Sequence, residues 1–143
     1  MATQGRFEIR PAGPGDVRAI QQLWDSCGIG RIEADEMDAL LSAETTAVLA
    51  AVGGGQVVGT AVAAFDGWRA FIYHVAVAGD VRRQGLAHDL MAEAERYLLS
   101  AGARHVFVTV HEDNTEGLAL VGATGYLPEG EIVLAKRLAS RPA

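Results

Sequence analysis

The segment of the sequence best suited to bind a ligand is a short basic loop, Arg82-Arg83-Gln84-Gly85-Leu86-Ala87. An apolar run precedes the loop and an amphipathic stretch follows it, which predicts a buried strand before it and a helix after it. The N-terminus of a helix presents unpaired N–H groups and a partial positive charge, so it favours anions. Gly85 allows the backbone to approach a phosphate closely, and the small Ala87 does not obstruct that approach. The pattern therefore predicts a phosphate site, with a plain exposed basic turn as the alternative.

Two common kinds of phosphate loop are excluded. The sequence has neither the Gly-Lys-Ser or Gly-Lys-Thr of a nucleotide-hydrolysing P-loop nor the Gly-x-Gly-x-x-Gly of a dinucleotide fold. The formal net charge of −6 at pH 7 argues against unspecific nucleic-acid binding, because such binding needs a basic face. The same charge weakly favours a cationic acceptor through long-range attraction.

Length and composition fit a single domain spanning residues 1–143. Half of the residues are hydrophobic, which is enough for a core that needs neither disulfides nor a metal. The one cysteine, Cys27, excludes an intrachain disulfide and is expected to be a small core residue. No apolar run approaches a membrane span and the first residues lack the apolar block of a signal peptide, so we expect a cytoplasmic protein that does not enter a membrane.

Hydrophobic periodicity indicates the elements that would position the basic loop. Asp16 is expected to cap the first helix, and Gly28 and Gly102 are each expected to end a helix. The glycine-only link Gly53-Gly54-Gly55 predicts a tight hairpin. The predicted helices cover about residues 17–27, 33–43, 86–101 and 116–124, and the predicted strands about residues 7–10, 46–52, 56–65, 70–77, 106–110 and 132–134, the last extending as far as 138.

The order of these elements, β-α-α-β-β-β-α-β-α-β, indicates the fold class. Short turns join the early strands, as in antiparallel pairs, whereas helices connect the later ones. We therefore expect a mixed α/β fold with a mostly antiparallel central sheet and helices on both faces. The strand at 132–134 would close that sheet.

The loop and the strand before it resemble those of the GNAT superfamily of N-acetyltransferases. The superfamily hallmark, Arg/Gln-x-x-Gly-x-Gly/Ala, is matched by Arg82, Gly85 and Ala87, and its apolar strand by Val75-Ala76-Val77. The element order is also that of the superfamily, so the resemblance covers nearly the whole chain. Within the superfamily, the chain is similar to small bacterial acetyltransferases of the YpeA and RimI type in the segments FDGWRAFIYHVAVAGDVRRQGLA, VHEDN, ATGY and AKRL.

This resemblance implies a site for acetyl-CoA as cosubstrate, with no metal. Backbone groups of Val75 and Val77 would pair with the pantetheine arm as if it were another strand. Loop amides from Arg83 to Ala87 would hold the pyrophosphate. Asn114 matches the family's asparagine that contacts the pantetheine region; a helix N-cap is the alternative, and one side chain could serve both purposes.

The chain departs from the family pattern at two positions that carry acid–base chemistry. Val121 stands where many relatives have a tyrosine that protonates the departing thiol. Thr109 stands where relatives of the RimI type have a glutamate. Neither side chain can take over the role of the residue that it replaces, so any proton transfer must rely on other groups.

Three other residues are candidates for proton transfer. Tyr73 is expected on the same strand face as Val75 and Val77, where some relatives place a base, with a core or substrate-wall tyrosine as the alternative. His74 would then point to the opposite face as a packed histidine. His111 and Glu112 follow the next strand and could relay a proton through water, with a solvated loop as the alternative.

The predicted function is transfer of an acetyl group from acetyl-CoA to a primary amine, in a small molecule or a peptide, by direct attack in a ternary complex. Backbone N–H groups of the central strand would polarise the thioester carbonyl. A thiol of pKa about 8.5 leaves tolerably as thiolate, so a missing acid slows the reaction without forbidding it. The alternatives are an acyl-CoA-binding module that has lost catalysis and a domain that binds another anion. A homodimer through an edge strand or the C-terminal strand is left open.

Overall fold

The computed structural model describes residues 2–4, 7–30 and 32–139. Contacts divide the chain into two compact units, residues 1–108 and residues 109–143. In the described part of the second unit the regular element is helix α4 (Thr115–Ala123). The elements of the first unit are strands β1 (Ala2–Gln4), β2 (Phe7–Pro11), β3 (Thr46–Gly53), β4 (Gln56–Phe65), β5 (Ala70–Val77) and β6 (Val106–Val108), and helices α1 (Val17–Cys27), α2 (Ala34–Ser42) and α3 (Leu86–Ala101).

The strands form one sheet in which neighbours follow the chain order from β1 to β6. Every neighbouring pair is antiparallel except β5 and β6, which are parallel and connected through α3. The β3–β4 hairpin turns on Gly54 and Gly55, whose φ angles of 59° and 77° belong to the tight turn predicted from the glycines. The mixed α/β fold with a mostly antiparallel sheet is therefore confirmed.

Helices cover both faces of the sheet. On one face, α1 and α2 enclose a core cluster that includes Trp24, Met37 and Val62. On the other face, α3 lies against β4, because a Cβ atom added to Gly59 would fall 2.9 Å from Cδ1 of Leu90. Glycine at this position therefore allows α3 to pack closely on the sheet. Within the described residues, none of the helices is long and apolar enough to cross a membrane.

Strand β5 contains an extra residue that the sequence pattern did not indicate. Thr60 of β4 lies opposite Ala76, and Val62 lies opposite Tyr73, so two steps along β4 correspond to three steps along β5. His74, within this bulge, has a φ of 49°, in the left-handed region that residues other than glycine seldom adopt. A bulge interrupts the alternation of side chains, so it changes which residues of β5 share a face.

The predicted capping role of Asp16 is wrong. Asp16 lies at the N-cap position of α1, but its side chain makes no capping hydrogen bond. Its carboxylate instead accepts hydrogen bonds from the Arg10 guanidinium at 2.7 and 2.9 Å and from the Gly13 N–H at 2.8 Å. The hydrogen bond from Arg10 lowers the pKa of Asp16. The ion pair therefore takes the carboxylate away from the first helical turn and fixes the β2–α1 connection.

The closing strand predicted at 132–134 is also wrong. Residues 131–138 have no regular secondary structure, and β6 is the last strand in the described part of the chain. The side chains of Ile132, Val133, Leu134 and Leu138 are each at least 79% exposed. An apolar run becomes a strand only where a neighbouring edge completes its hydrogen-bond ladder, and the run itself does not reveal such an edge.

Candidate functional site

The basic loop connects β5 to α3, as predicted. A 3-10 turn over Gly79–Val81 leads into the loop, and α3 begins at Leu86 with Gly85 as its N-cap. Gly85 and Arg83 have φ angles of 77° and 65°. No atom lies within 4 Å of the place where a Cβ atom of Gly85 would be, so the backbone is open there. The Asp89 N–H donates to the Gly85 carbonyl at 3.0 Å, and the three N–H groups before it point out of the helix end.

Arg82 holds this loop against the end of β5. Its Nε donates a hydrogen bond to the main-chain carbonyl of Val77 at 3.1 Å, and its Nη2 lies 3.9 Å from Sγ of Cys27. The positive charge therefore stays beside the loop while the guanidinium bonds to protein. Leu86, only 2% exposed, anchors the start of α3 in the core. The loop that would carry the pyrophosphate is thus tied to the fold on both sides.

The second half of β5 has an uncovered edge in the described structure. β5 pairs with β4 as far as Val77, but it pairs with β6 only over Ala70–Ile72. Among the described residues, no strand therefore pairs with residues 73–77 on the β6 side. An extended ligand could add to this edge as a further strand. Val75 and Val77, for which the sequence predicts contact with the pantetheine arm, lie in this half of β5.

The bulge brings Tyr73 and His74 to the same face of the sheet. Tyr73 packs against the α1–α2 core cluster, and the imidazole of His74 lies edge-on to the indole of Trp24 with ring centroids 4.7 Å apart. Val77, by contrast, lies opposite Gly59, whose missing Cβ points towards α3. The prediction that Tyr73 shares a face with Val77 and that His74 opposes it is wrong, because the extra residue reverses the alternation.

Burial shifts the titration of this neighbouring pair in opposite directions. The ring centroids of Tyr73 and His74 are 5.5 Å apart and the ring planes are nearly perpendicular. Loss of solvation raises the pKa of Tyr73 and lowers the pKa of His74, because it disfavours the charged form of each. At neutral pH the phenol therefore keeps its proton and the imidazole is uncharged. The pair offers one proton donor and one proton acceptor side by side.

Asn114 caps helix α4 within the second unit. Its Oδ1 accepts a hydrogen bond from the Gly117 N–H at 2.9 Å, so the N-cap alternative is confirmed. A Cβ atom at position 117 would fall 2.6 Å from Nδ2 of Asn114, which makes glycine necessary for the cap in this geometry. The capping bond uses Oδ1, the single oxygen of the side chain. A contact of the Nδ2 amide group with a ligand stays a prediction.

His111 and Glu112 lie in the exposed turn that precedes α4. The Nδ1 of His111 accepts a hydrogen bond from the Asp113 N–H at 3.2 Å and lies 3.7 Å from the Asp113 carboxylate. The His111 side chain is 74% exposed, and Glu112 is also exposed. The candidates for proton transfer are thus divided between the units, with Tyr73 in the first and these two residues in the second.

Sequence reasoning missed the residues behind the bulge. Thr60 is buried in β4, where its hydroxyl joins Trp24 to the main-chain carbonyl of His74. The one signal for it is a hydroxyl residue inside the apolar run Val57-Val58-Gly59-Thr60-Ala61-Val62. That signal indicates that a partner must exist, because a buried hydroxyl is expected to be hydrogen-bonded, but it does not identify the partner.

Comparison with known proteins shows which family this chain belongs to. The model of the acetyltransferase (GNAT) family matches residues 17–126, a span that holds the bulged strand and the basic loop. The chain belongs to the GNAT acetyltransferase family. A curated acetyltransferase of Pectobacterium atrosepticum is 31% identical over 135 residues, which is 92% of this chain and 96% of that protein. The family predicted from the loop is therefore confirmed, and the protein is an N-acetyltransferase.

Solved structures share the GNAT fold. A crystal structure of a transcriptional regulator from Bacillus halodurans C-125 superimposes with a TM-score of 0.79 at 18% identity, covering 92% of this chain and 99% of the regulator. The aminoglycoside acetyltransferase AAC(6')-Iy, in complex with a bisubstrate analogue of CoA, gives a TM-score of 0.78 at 18% identity and covers 94% of this chain and 100% of its own. At this identity, the two similarities concern the fold alone.

Proposed function

We propose that the protein transfers an acetyl group from acetyl-CoA to a primary amine in a ternary complex. The observation that carries the proposal is that β5, with an uncovered edge, runs directly into a glycine-containing loop at the N-terminus of α3. An extended arm can pair with such an edge while a pyrophosphate lies on the helix N-terminus. The CoA bisubstrate analogue bound to AAC(6')-Iy, which has the same fold, supports this cosubstrate.

In this proposal the cofactor is held mainly by backbone groups. Val75 and Val77, on either side of Ala76, pair with the pantetheine arm. The amides from Arg83 to Ala87, which include those of Gln84, Gly85 and Leu86, bind the pyrophosphate. Arg82 keeps its charge beside the phosphates while it braces the loop through the Val77 carbonyl. The open space at Gly85 supports this placement.

The reaction follows from the position of the bulged strand. An uncharged amine nitrogen attacks the thioester carbon, and backbone N–H groups of β5 stabilise the negative charge that develops on the carbonyl oxygen. The carbon–sulfur bond then breaks, and its electron pair leaves with sulfur as the CoA thiolate. The nitrogen loses one proton. The products are the N-acetylated amine and CoA.

Tyr73 and His74 suit the two proton transfers. The uncharged imidazole of His74 can accept a proton from the nitrogen, whereas burial raises the pKa of Tyr73 and so keeps its phenol in the protonated form that can donate. Val121 cannot donate a proton to the thiolate, so Tyr73 is the candidate acid here. His111 and Glu112 stay candidates for a relay through water.

The acceptor should be an amine that loses its own proton readily. A protein α-amino group of pKa about 7.7–8.0 is roughly one-third neutral at pH 7.5, whereas a lysine side chain of pKa near 10.4 is about one-thousandth neutral. A half-buried imidazole of lowered pKa is a weak base and cannot fully replace that deprotonation. We therefore expect α-amines, or small amines of low pKa, to be better acceptors than ordinary lysine side chains.

The test measures kcat/KM against pH for two peptides of the same sequence. One has a free N-terminus and a blocked lysine side chain, and the other has a blocked N-terminus and a free lysine side chain. The α-amine peptide should react faster, and the rate with the lysine peptide should still rise above about pH 8.5. A lysine preference with a plateau below about pH 8 would require a stronger general base, and His74, His111 and Glu112 would then be substituted in turn.

A catalytically weak or inactive acyl-CoA-binding module is the second candidate. It is favoured by Val121 and Thr109, which lack the acid–base groups of many relatives. Such a module would bind acetyl-CoA but would release no CoA with any amine. The adjacent donor and acceptor on β5 favour the active enzyme over the module.

We infer a single acetyltransferase domain, which the nearly full-length match to the Pectobacterium acetyltransferase supports. We also propose, from the sequence resemblance alone, that the protein is of the YpeA and RimI type and acts in the cytoplasm. The exposed apolar side chains of residues 132–134 support a homodimer formed through this segment. Light scattering on the purified protein would show twice the monomer mass if it forms.

A further inference from the structure

A hydrogen-bonded chain crosses the interior from α1 to the bulge of β5. The Trp24 Nε1–H donates to Oγ1 of Thr60 at 2.8 Å, and the Thr60 hydroxyl donates to the main-chain carbonyl of His74 at 3.0 Å. Trp24 is 1% exposed and Thr60 is fully buried. Among the residues that the structure describes, Thr60 is the only polar residue that is buried. Trp24 and Thr60 have no role so far in the proposed acetyl transfer, whereas His74, at the end of this chain, is the proposed proton acceptor.

The main-chain carbonyl of His74, in the bulge, needs a hydrogen-bond donor such as the Thr60 hydroxyl. An extra residue interrupts the hydrogen-bond ladder between β4 and β5, and a buried carbonyl left without a donor is costly. His74 also holds a left-handed φ of 49°, which persists only where the surroundings enforce it. Trp24 also contacts His74 directly, because its indole ring lies nearly perpendicular to the imidazole with ring centroids 4.7 Å apart. Helix α1 therefore holds the His74 side chain directly through Trp24 and the His74 carbonyl indirectly through Thr60 of β4.

The direction of one peptide group follows from this arrangement. The peptide bond between His74 and Val75 is trans, so its N–H points opposite to its C=O. The C=O points to Thr60 on β4, and the Val75 N–H therefore points away from β4, towards the edge that β6 leaves uncovered. That is the edge along which the acyl-pantetheine arm is proposed to lie.

We propose that Trp24 and Thr60 are positioning residues that aim the Val75 N–H at the thioester carbonyl oxygen of bound acetyl-CoA. This inference rests on the proposed function. When the amine attacks, the carbonyl oxygen becomes negative and its hydrogen bond to a fixed donor strengthens. A hydroxyl that donates to the C=O end of the same peptide polarises the N–H end, which adds to the effect. Without Thr60, the bulge can relax and turn the donor away.

The test separates positioning from simple core stability. Thr60→Val removes both hydrogen bonds and keeps the shape of the side chain, whereas Thr60→Ser keeps the hydroxyl. Val48→Ala is the matched control, because Val48 belongs to the same core cluster but lies on β3, a strand that does not pair with β5. Each variant is compared with the wild type for melting temperature, for CoA affinity by calorimetry and for kcat at saturating acetyl-CoA and amine.

We expect Thr60→Val to lose at least about tenfold in kcat while its affinity for CoA changes by less than about threefold. Thr60→Ser should recover most of the kcat, and Val48→Ala should melt earlier with kcat unchanged. Unchanged kcat in Thr60→Val, or an equal loss of kcat in Val48→Ala, would overturn the positioning role. If Thr60→Val fails to fold, Trp24→Phe is measured instead, because it keeps an aromatic ring and removes the Nε1–H donor. We expect this variant to lower kcat by a smaller factor. An unchanged kcat in Trp24→Phe would also overturn the positioning role.

A second measurement needs no turnover and therefore separates this inference from the proposed function. The amide signal of Val75 is followed by NMR as the wild type and Thr60→Ser bind CoA and then acetyl-CoA. A hydrogen bond to the thioester oxygen should shift the amide proton downfield with acetyl-CoA only, in both proteins. If the wild type transfers no acetyl group but shows this shift, the proposed function is wrong, whereas the inference that the Val75 N–H points at the thioester oxygen is supported. If acetyl-CoA and CoA give the same signal in the wild type, the inference fails whatever the activity.

Discussion

Gly85 combines two properties that a phosphate site at a helix N-terminus requires. Its φ of 77° lies in the left-handed region, and no atom stands within 4 Å of the place where a Cβ would be. A branched side chain would strain the backbone and occupy the space through which a pyrophosphate must approach. The missing side chain should therefore matter more for CoA affinity than the charge of the exposed Arg83.

Gly85→Val should weaken CoA binding by at least about tenfold, and Arg83→Ala by a smaller factor, when both are titrated by calorimetry. Gly54→Val is the matched control, since Gly54 has a φ of 59° and open space around it but lies in the β3–β4 turn. It should lose stability through the same backbone strain and bind CoA as the wild type does. Normal CoA binding by Gly85→Val would show that the pyrophosphate lies elsewhere.

At the residue scale, the sequence predicts positions that depend on local chain chemistry. Gly28 and Gly102 both end their helices in the left-handed conformation expected of C-terminal glycines. The faces of Tyr73 and His74 could not be predicted in this way, because alternation assumes an uninterrupted strand. The extra residue of β5 is held by Thr60, 14 residues before His74 in the chain, and through Thr60 by Trp24 of α1, which lies far earlier in the sequence.

At the scale of elements, one ion pair fixes the start of α1, the helix that carries Trp24. Arg10 of β2 and Asp16 form a two-point hydrogen-bonded pair, with side chains 31% and 14% exposed. The hydrogen bond from Arg10 is the largest cause of the lowered pKa of Asp16. A carboxyl whose folded pKa is depressed stabilises the fold above its unfolded pKa of about 3.9, and that contribution disappears as the pH falls through the folded pKa.

Asp16→Asn should therefore lower the free energy of unfolding by roughly 1–2 kcal/mol at pH 7, a range expected for a partly exposed pair hydrogen-bonded to a charge. The difference from the wild type should shrink progressively below about pH 5. Urea unfolding across this pH range measures it. Asp38→Asn removes an equal charge from an exposed position on α2 and should cost little at any pH. A constant difference from pH 7 to pH 3 would contradict the ionic origin of the stabilisation.

Elements with a local turn signal are predicted well, and those that need a distant partner are not. The β3–β4 hairpin follows from Gly54 and Gly55 because the turn itself aligns the two strands. The apolar residues at 132–134 have the composition of a strand and yet remain unpaired in the described structure. Composition states that a segment can pair, whereas pairing also requires an available edge in the right place.

At the scale of the whole molecule, the family and the cosubstrate follow from features that the chain shares with its relatives. The basic loop and the order of elements suffice to identify an acetyltransferase, and the family match over residues 17–126 confirms it. The proposed preference for certain acceptors rests on Val121 and Thr109, the positions at which the sequence is predicted to depart from the family pattern. For that reason, the sequence narrows the acceptor to an amine and leaves its chemical class to be measured.

The most direct measurement follows an isotopic label in the acetyl group of acetyl-CoA together with the release of free CoA thiol, in the presence of peptide α-amines, lysine side chains and small amines. We expect thiol release that depends on both the protein and an amine, with one labelled N-acetyl product formed for each CoA released. The α-amines and the amines of low pKa should give the highest rates of acetylation. Binding of acetyl-CoA with the label left intact, and no amine that accelerates thiol release above the rate in buffer, would contradict acetyl transfer and identify the chain as a binding module.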